Sequence, residues 1–375
     1  MKKEIILILH IVSLFILLPI ISGCIGKPQN PPPGTPNYST IIEAEQNWII
    51  SLQIENGAIK MAGGPARYTD DGKAVYNIHP YFNNLAVLGL LEDPKPAVID
   101  TAKKWIIWYL NHINDPDYNG LSGTIYDYEY VEDGTEISKN YYDSVDSYAA
   151  TFISLLKRYY EVTNDVNLLI TNREKIEKII NAMIAVQDTD GLTFAKPDYQ
   201  IKFLMDNVEV YEGLNAAEFI ENTVFNDTAK ANEYKAHKEA LLNAIESKLW
   251  NASTNSYYPY LGSPEANWST FYPDATAQLF PIAFGVIDPK SERAIYLYQK
   301  FNEFFPGWPS LEKPDLFPWA FLAYVAALMG DKSRVNTFLN TVNSQYITVG
   351  HPWTWYVAEA GWTIRAAKYT RDNLK

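Results

Sequence analysis

The fold of this chain is decided by a stretch that reads Tyr141-Tyr-Asp-Ser-Val-Asp-Ser-Tyr-Ala-Ala-Thr-Phe-Ile-Ser-Leu-Leu156. An aromatic and acidic segment here runs directly into an apolar helical pattern that is rich in small residues. Six such junctions occur along the 375 residues, at positions 77–82, 141–146, 203–209, 271–274, 317–319 and 351–355. If all six lie at one end of one domain, they line a single recess.

Hydrophobic periodicity divides the helices of the chain into two kinds. Helices of the first kind have one apolar and one polar face, and they span residues 41–53, 97–113, 167–186, 229–249, 290–305 and 332–342. Helices of the second kind are apolar nearly all round, at residues 81–91, 144–160, 207–220, 275–286, 320–329 and 355–367. A helix without a polar face must be enclosed. Because the two kinds alternate strictly, the pattern predicts an all-α fold, an (α/α)6 barrel of six helical hairpins with the second kind inside.

The connections between these helices differ in length. Short links follow the predicted inner helices and long loops precede them, and long loops on a rigid scaffold commonly carry function. Two of the long loops have the alternation of β-hairpins: residues 123–130 with a turn at Asp133-Gly134, and residues 191–204 around Pro197-Asp198. We therefore expect β-hairpin loops at one rim of the barrel, where the inner helices begin.

The N-terminal segment indicates where the protein resides. Lys2 and Lys3 precede an apolar run at residues 5–20, and small residues lead to Cys24, the only cysteine of the chain. This order is typical of a lipoprotein signal, although an uncleaved membrane helix is the alternative. The predicted domains are a signal peptide at residues 1–23, a Pro/Gly-rich tether at residues 24–40 with a lipid on Cys24, and the six-hairpin domain at residues 41–375. We expect an extracytoplasmic protein on the cell surface, attached to the membrane through Cys24.

Composition limits the partners of the protein. The formal net charge of −13 argues against nucleic acid, because binding to a phosphate backbone depends on clustered Lys and Arg. The 10 Trp and 27 Tyr residues often lie beside Pro, Gly or Asp rather than within apolar periodicity. Flat rings with a polar edge suit stacking on sugars, while paving of a large core is the alternative explanation. We expect a carbohydrate ligand and a monomeric protein.

Paired acids open the second and third inner helices. Asp143 and Asp146 are three residues apart, and Asp206 and Glu209 repeat the spacing. Acids at these positions cap helix N-termini in many proteins. Capping explains one acid per helix, but not the tyrosines that flank both pairs. We therefore treat all four acids as candidate catalytic residues.

Glycoside hydrolysis is the chemistry that needs such a set of residues. One carboxyl group must be protonated to assist the leaving oxygen, and a second must be ionised to activate water or attack the sugar. A helix N-terminus lowers the pKa of a carboxyl group, whereas an aromatic and water-poor wall raises it. Acids at different junctions can therefore take different roles.

The chain resembles the six-hairpin glycosidases, which include glucoamylases, endoglucanases and unsaturated glucuronyl hydrolases. The architecture of residues 40–375 resembles that of these enzymes. The sequence itself resembles them only in short segments, at residues 119–121, 143–148, 206–209 and 350–353. Gly350-His-Pro-Trp353 is similar to a Gly-Asn-Pro-Trp segment of glucoamylases, but residues 342–349 lack the carboxylate that glucoamylases have nearby.

Two other members of this superfamily suggest roles for the acids. The pair Asp143 and Asp146 resembles the base pair of inverting endoglucanases, and Glu359 is then the candidate acid. Unsaturated glucuronyl hydrolases imply one inner-helix aspartate, either Asp143 or Asp146. The resemblance implies a fold and a chemistry, and it leaves the sugar and the linkage open.

The remaining candidates concern the sugar itself. Residues expected to contact it carry a ring or a hydrogen-bonding group at a junction or in a long loop: His79, Tyr142, Trp268, Tyr272, Asp274, Trp308, Trp319, Trp353, Trp355 and Glu359. His79 and His351 also keep open a sugar epimerase on the same barrel, and a glycan-binding lipoprotein without catalysis is a further alternative. With five His and one Cys, we expect no metal site, and no motif predicts a cofactor.

Overall fold

The computed structural model describes residues 34–375. The predicted signal peptide, the lipid-bearing Cys24 and most of the predicted tether lie outside the described residues. Within them, no helix is long and apolar enough to cross a membrane. Helix α1 begins at Tyr38, slightly before the predicted start of the six-hairpin domain.

The helices form two layers. The outer layer contains α1 (Tyr38–Leu52), α3 (Pro96–Asn111), α6 (Arg173–Ala185), α8 (Thr228–Ala244), α10 (Glu292–Phe304) and α12 (Lys332–Gln345). The inner layer contains α2 (Pro80–Leu90), α4 (Asp146–Thr163), α7 (Leu204–Thr223), α9 (Phe280–Ala283), α11 (Ala320–Leu328) and α13 (Val357–Asn373), and a short helix α5 (Val166–Thr171) lies between α4 and α6. Each inner helix contacts the next, and α13 returns to α2, so the ring closes. This confirms the predicted all-α toroid.

Small residues let the inner helices approach closely. A Cβ atom on Gly213 of α7 would lie 2.6 Å from the Cα atom of Ala150 on α4. A Cβ atom on Gly89 of α2 would lie 2.4 Å from the Cα atom of Gly361 on α13. Neither position accepts a larger residue without moving a helix. The small residues that follow the paired acids are therefore helix contacts.

The fourth inner helix is much shorter than predicted. The pattern predicted a helix over residues 275–286, whereas the structure has a wide turn at Phe271–Ala275 and then α9 at Phe280–Ala283. Pro281 explains the interruption, because proline donates no backbone hydrogen bond and is tolerated only in the first turn of a helix. The helix consequently starts at Phe280 instead of continuing from the preceding turn.

A small antiparallel sheet lies in the long loops. Its strands are β1 (Arg67–Tyr68), β2 (Ala74–Ile78), β3 (Tyr128–Val131) and β4 (Glu136–Ser138), in that order across the sheet. Strands β3 and β4 form a hairpin whose turn contains Asp133 and Gly134, as predicted, but β3 starts later than position 123. Around Pro197-Asp198, Lys196 and Tyr199 exchange backbone hydrogen bonds, which matches the second predicted turn. A second pair of strands, β5 (Trp250–Asn251) and β6 (Ser256–Tyr257), follows α8.

Two outer helices lead into their long loops through the same kind of corner, a turn held by the side chain of a glutamine. Gln53 Nε2 donates to Gly57 O (3.0 Å) and to the backbone of α3, and Gln187 Nε2 donates to Gly191 O (2.8 Å) and to the backbone of α8. A Cβ atom on Gly57 would lie 2.6 Å from a carbonyl oxygen of α3, and one on Gly191 would lie 2.8 Å from a carbonyl oxygen of α8. The corner thus fixes α1 to α3 and α6 to α8.

Candidate active site

The six junctions meet at the end of the barrel where the inner helices begin. Contacts connect these junctions with one another: Tyr148 Oη with His79 Nδ1 (3.1 Å), Tyr81 Oη with Glu209 Oε1 (2.6 Å), the rings of Tyr272 and Trp319 (5.2 Å between centroids), Trp319 N with Glu359 Oε1 (2.9 Å), and the rings of Tyr356 and Phe82 (4.9 Å). The recess that they surround contains the acids of α4 and α7.

Loop residue Thr193 fixes the relative position of the two acid pairs. Its backbone N–H donates to Asn207 Oδ1 (2.8 Å), and its hydroxyl donates to Asp146 Oδ2 (2.8 Å). Asn207 also donates to the backbone oxygens of Thr193 and Phe203. Together with the contact of Gly213 on Ala150, these bonds hold the starts of α4 and α7 side by side.

Asp146 lies beneath the floor of the recess. It is fully buried, and its two carboxyl oxygens accept hydrogen bonds from Ser147 N (2.9 Å) and from Thr193. Burial raises the pKa of Asp146 to about 8, and the charge of Glu209 adds to this effect. A carboxyl group with no solvent-accessible surface does not reach a substrate, so we assign Asp146 a supporting position.

Asp206 and Glu209 share one face of α7. Burial raises the pKa of Asp206 well above its ordinary value, and the charges of Asp146 and Asp143 raise it further. Burial also raises the pKa of Glu209, although the hydroxyl of Tyr81 donates to it. Asp206 is half-buried and Glu209 is buried. Asp206 is therefore the acid of this pair that a ligand reaches.

Asp143 faces the open side of the recess. Solvent reaches its side chain, although protein surrounds it on most sides. Burial raises the pKa of Asp143, while His79 and Lys196 lower it. Lys196 Nζ donates to Tyr142 O (3.0 Å) and lies 4.2 Å from the centre of the Tyr141 ring. This buried ammonium group favours an ionised Asp143.

The structure places one further acid, Asp127, beside His79 and Tyr148, and the sequence did not predict it. His79 Nε2 lies 3.1 Å from Asp127 Oδ2, and the hydroxyl of Tyr148 lies 3.0 Å from Asp127 Oδ1 and 3.1 Å from His79 Nδ1. Burial lowers the pKa of His79 to about 4 and raises the pKa of Asp127 to about 7. Asp127 lies in a loop beside strand β3, far from the helix starts in sequence. The only sequence signal for Asp127 was that an acid lies within a segment predicted to form a hairpin.

Three aromatic residues offer surface at the mouth. Tyr272 is exposed on one side, and burial of its hydroxyl together with the charges of Asp206 and Asp143 raises its pKa. Trp319 is half-buried against Tyr272. Trp353 is 56% exposed and meets Phe317 edge to face. Tyr272 and Trp319 thus contact each other, whereas Trp353 belongs to a separate aromatic contact with Phe317.

Several predicted sugar contacts lie elsewhere. Trp308 and Trp355 are fully buried, with indole N–H groups that face Asn302 and Glu45, so they are core residues and offer no face to a sugar. Tyr142 is also fully buried, and its hydroxyl donates to Asp117. Trp268 stacks on Phe304 of the outer helix α10, and Asp274 accepts from Asn267 N within its loop.

Residues of the last junction also make contacts that stabilise the fold. Glu359 is buried and accepts hydrogen bonds from the backbone of Trp319 (2.9 Å) and Ala320 (2.6 Å), so it caps the start of α11. His351 stacks on Trp48 of the outer helix α1 and lies 3.5 Å from Glu45. The contacts of the two histidines therefore differ, since His79 faces Asp127 and Tyr148. Among residues 34–375, no three His, Cys, Asp or Glu side chains form a group suited to a metal ion.

No protein-family model matches the sequence, and no curated protein matches it significantly. The same fold occurs in solved glycosidases. One structure described as a wild-type glycosidase matches with a TM-score of 0.64 at 12% identity, over 88% of this chain and 96% of its own. An α-mannosidase of Streptococcus pneumoniae matches with a TM-score of 0.60 at 10% identity, over 89% of this chain and 95% of its own. A protein described as an α-amylase from Clostridium perfringens matches with a TM-score of 0.54 at 9% identity, over 90% and 98%.

Proposed function

We propose that this protein is a glycoside hydrolase that cleaves an oligo- or polysaccharide in the recess at the mouth of the barrel. The observation that carries the proposal is that Asp143, three residues before α4, and Asp206, on α7, lie at two helix starts that Thr193 holds side by side, so that the charge of Asp143 adds to the burial that raises the pKa of Asp206. The toroid that holds them is shared with proteins described as glycosidases. A pair of acids with different surroundings is what glycosidic bond cleavage needs.

The surroundings suggest a role for each acid. Asp206 lies among other carboxyl groups that keep it protonated, so it acts as the general acid toward the leaving oxygen. Asp143 is open to solvent, and the charge of Lys196 favours its ionised form, so we assign it the role of the base that activates water. A base that acts on water inverts the configuration of the sugar. NMR of the first product formed tests this directly, because a retained anomer would contradict the role of Asp143.

Substitution of each acid tests the assignment. We expect Asp206→Asn and Asp143→Asn to lower kcat by on the order of 10²–10⁴ against a panel of α-glucans, β-glucans, mannans and unsaturated uronides, because each variant loses one proton transfer. Glu218→Gln is the matched control, since Glu218 lies on the same helix as Asp206 but pairs with Lys238. If both aspartate variants keep wild-type activity on a substrate that the protein cleaves, the assignment is wrong.

The alternatives have distinct outcomes in the same experiment. A glycan-binding protein without catalysis would bind oligosaccharides and release no new reducing ends. An epimerase would convert a sugar without cleaving it, and His79→Ala and His351→Ala would both abolish that conversion. The different environments of these two histidines favour hydrolysis over epimerisation.

We also propose, from the sequence alone, that a lipid on Cys24 attaches a monomeric enzyme to the cell surface.

A further inference from the structure

Two exposed tyrosines lie close to the proposed base and have no part in the chemistry proposed above. Tyr141 precedes Asp143 by two residues and is 38% exposed, and Tyr118, in the long loop that follows α3, is 46% exposed. A single exposed ring needs no explanation. Two exposed rings that share one support beside a recess form a surface suited to a ligand.

One buried residue, Tyr142, supports both rings. The ring of Tyr118 stacks on the fully buried ring of Tyr142, with 5.2 Å between centroids, and Tyr126 lies nearly parallel to both. The ammonium group of Lys196 lies 4.2 Å from the centre of the Tyr141 ring and donates to Tyr142 O (3.0 Å). Because the rings are held before a ligand binds, little conformational entropy is lost when one does.

Polar groups from two loops lie beside these rings. Asn119 Nδ2 donates to Tyr142 Oη (3.0 Å) and to Asp198 Oδ1 (3.4 Å), which joins the loop after α3 to the loop before α7. Asp198 is exposed, so its carboxylate accepts further hydrogen bonds from hydroxyl groups. Aromatic faces with a few fixed polar groups beside them are the usual lining of a small-molecule site.

The charges around the two rings favour a sugar that has no carboxylate. Two acids, Asp143 and Asp198, are exposed there. Lys196 is buried with its ammonium group on a backbone oxygen, and Lys139 donates to Asn77 Oδ1 (3.2 Å). Every arginine of residues 34–375 contacts an acid outside this group. A uronate would therefore meet negative charge without the bidentate arginine that commonly binds a carboxylate.

We propose that Tyr118 and Tyr141 form a binding subsite for one neutral sugar unit of the substrate chain, next to the unit that lies over Asp143. The inference rests on the proposed function and adds a substrate class to it, namely neutral chains such as glucans and mannans in place of polyuronides. The two rings contact the apolar face of the sugar, and Asp198 accepts from its hydroxyl groups.

Binding of oligosaccharides to a variant with little turnover tests the subsite. In an Asp206→Asn background, titration calorimetry at neutral pH gives Kd for cellohexaose, maltohexaose and mannohexaose. For each chain that binds, we expect Tyr118→Ala to raise Kd by about three- to tenfold, the effect of losing one aromatic contact. Tyr118→Phe keeps the ring, so Kd should stay near the value of the background protein. Tyr296→Ala, which removes a 38% exposed tyrosine of outer helix α10, is the matched control.

A small aryl glycoside separates a binding role from a structural one. With Asp206 restored, Tyr118→Ala should leave kcat for such a substrate unchanged, because the substrate is too short to reach Tyr118. Loosening of the segment around Asp143 would lower this kcat. A lower kcat together with an unchanged Kd for the long chains would overturn the subsite.

The charge of the ligand tests the substrate class. We expect a galacturonate hexamer to bind about tenfold more weakly than the neutral chains that bind, because its carboxylates meet Asp143 and Asp198. Asp198→Asn keeps an oxygen acceptor and removes one charge, so it should narrow this difference. Equal or tighter binding of the uronate chain to the protein with Asp198 intact would overturn the class.

The outcomes separate this inference from the proposed function. If Tyr118→Ala and Tyr296→Ala give the same Kd for every chain that binds, or if no neutral chain binds, the subsite is wrong, whatever the protein hydrolyses. If Tyr118→Ala weakens the binding of a neutral chain that the wild-type protein does not cleave, the subsite stands and the hydrolase assignment falls.

Discussion

At the scale of single residues, equal spacing conceals unequal roles. Asp143 and Asp146 are three residues apart, yet solvent reaches Asp143, whereas Asp146 is fully buried. The difference arises because Thr193, a residue of a distant loop, donates a hydrogen bond to Asp146. Spacing on one helix predicted that both acids lie at the helix start. It did not reveal which acid the loop would cover.

The burial of Asp146 predicts how stability changes with pH. Its pKa is about 8 in the folded protein against an ordinary value of 3.8, so the folded state binds more protons than the unfolded state between these values. The contribution of this group to the free energy of unfolding is therefore largest below about pH 4 and falls as pH rises toward 8. Asp146→Asn removes the ionisation and copies the shape of the neutral acid.

We accordingly expect Asp146→Asn to raise the Tm by roughly a few degrees at pH 8.5 and by much less at pH 4.5. Thermal unfolding across this pH range measures the difference. The same variant should keep most of its activity, in contrast to Asp206→Asn, because Asp146 has no surface that meets substrate. A lower Tm at pH 8.5, or an activity loss as large as that of Asp206→Asn, would refute this account.

At the scale of elements, the contact between α4 and α7 sets the distance between the proposed acid and base. Gly213→Ala would place a Cβ atom 2.6 Å from Ala150 Cα, so the two helices must separate. We expect a loss of about 1–3 kcal/mol in the free energy of unfolding, which is typical of overpacking. Chemical denaturation measures it.

Separation of these helices should also affect turnover. A displacement of about 1 Å between reacting groups lowers the rate by on the order of 10²-fold. Gly64→Ala is the control, because a Cβ atom there meets no atom within 4 Å and the backbone is not in the left-handed region. Equal stability and equal kcat for Gly213→Ala and Gly64→Ala would show that the close contact does not position the acids.

At the scale of the whole molecule, the ring of helices was predictable, while several details were not. Helix alternation and loop length are local properties of the sequence, and they predicted twelve helices in two layers. Strand β2 and the meeting of Asp127 with His79 depend on packing between distant segments, whereas Pro281 was a local signal that the predicted helix over residues 275–286 did not take into account. The burial of Trp308 and Trp355 likewise depends on the neighbours that the fold provides. Aromatic composition alone does not separate core rings from rings at the mouth.

The aromatic rings that are exposed at the mouth predict how the protein distinguishes long from short substrates. Trp353 is 56% exposed, and Phe317 and Tyr356 continue from it toward the recess with edge-to-face contacts at 5.8 and 5.7 Å. Trp353 therefore meets a sugar unit at a distance from the acids. We expect Trp353→Ala to raise KM for long oligosaccharides by roughly three- to tenfold, the effect of losing one aromatic contact, with kcat unchanged. The KM for a small aryl glycoside should stay the same, as should all constants of Phe304→Ala, an exposed ring on α10. An equal rise in KM for short and long substrates would place Trp353 beside the reacting bond instead.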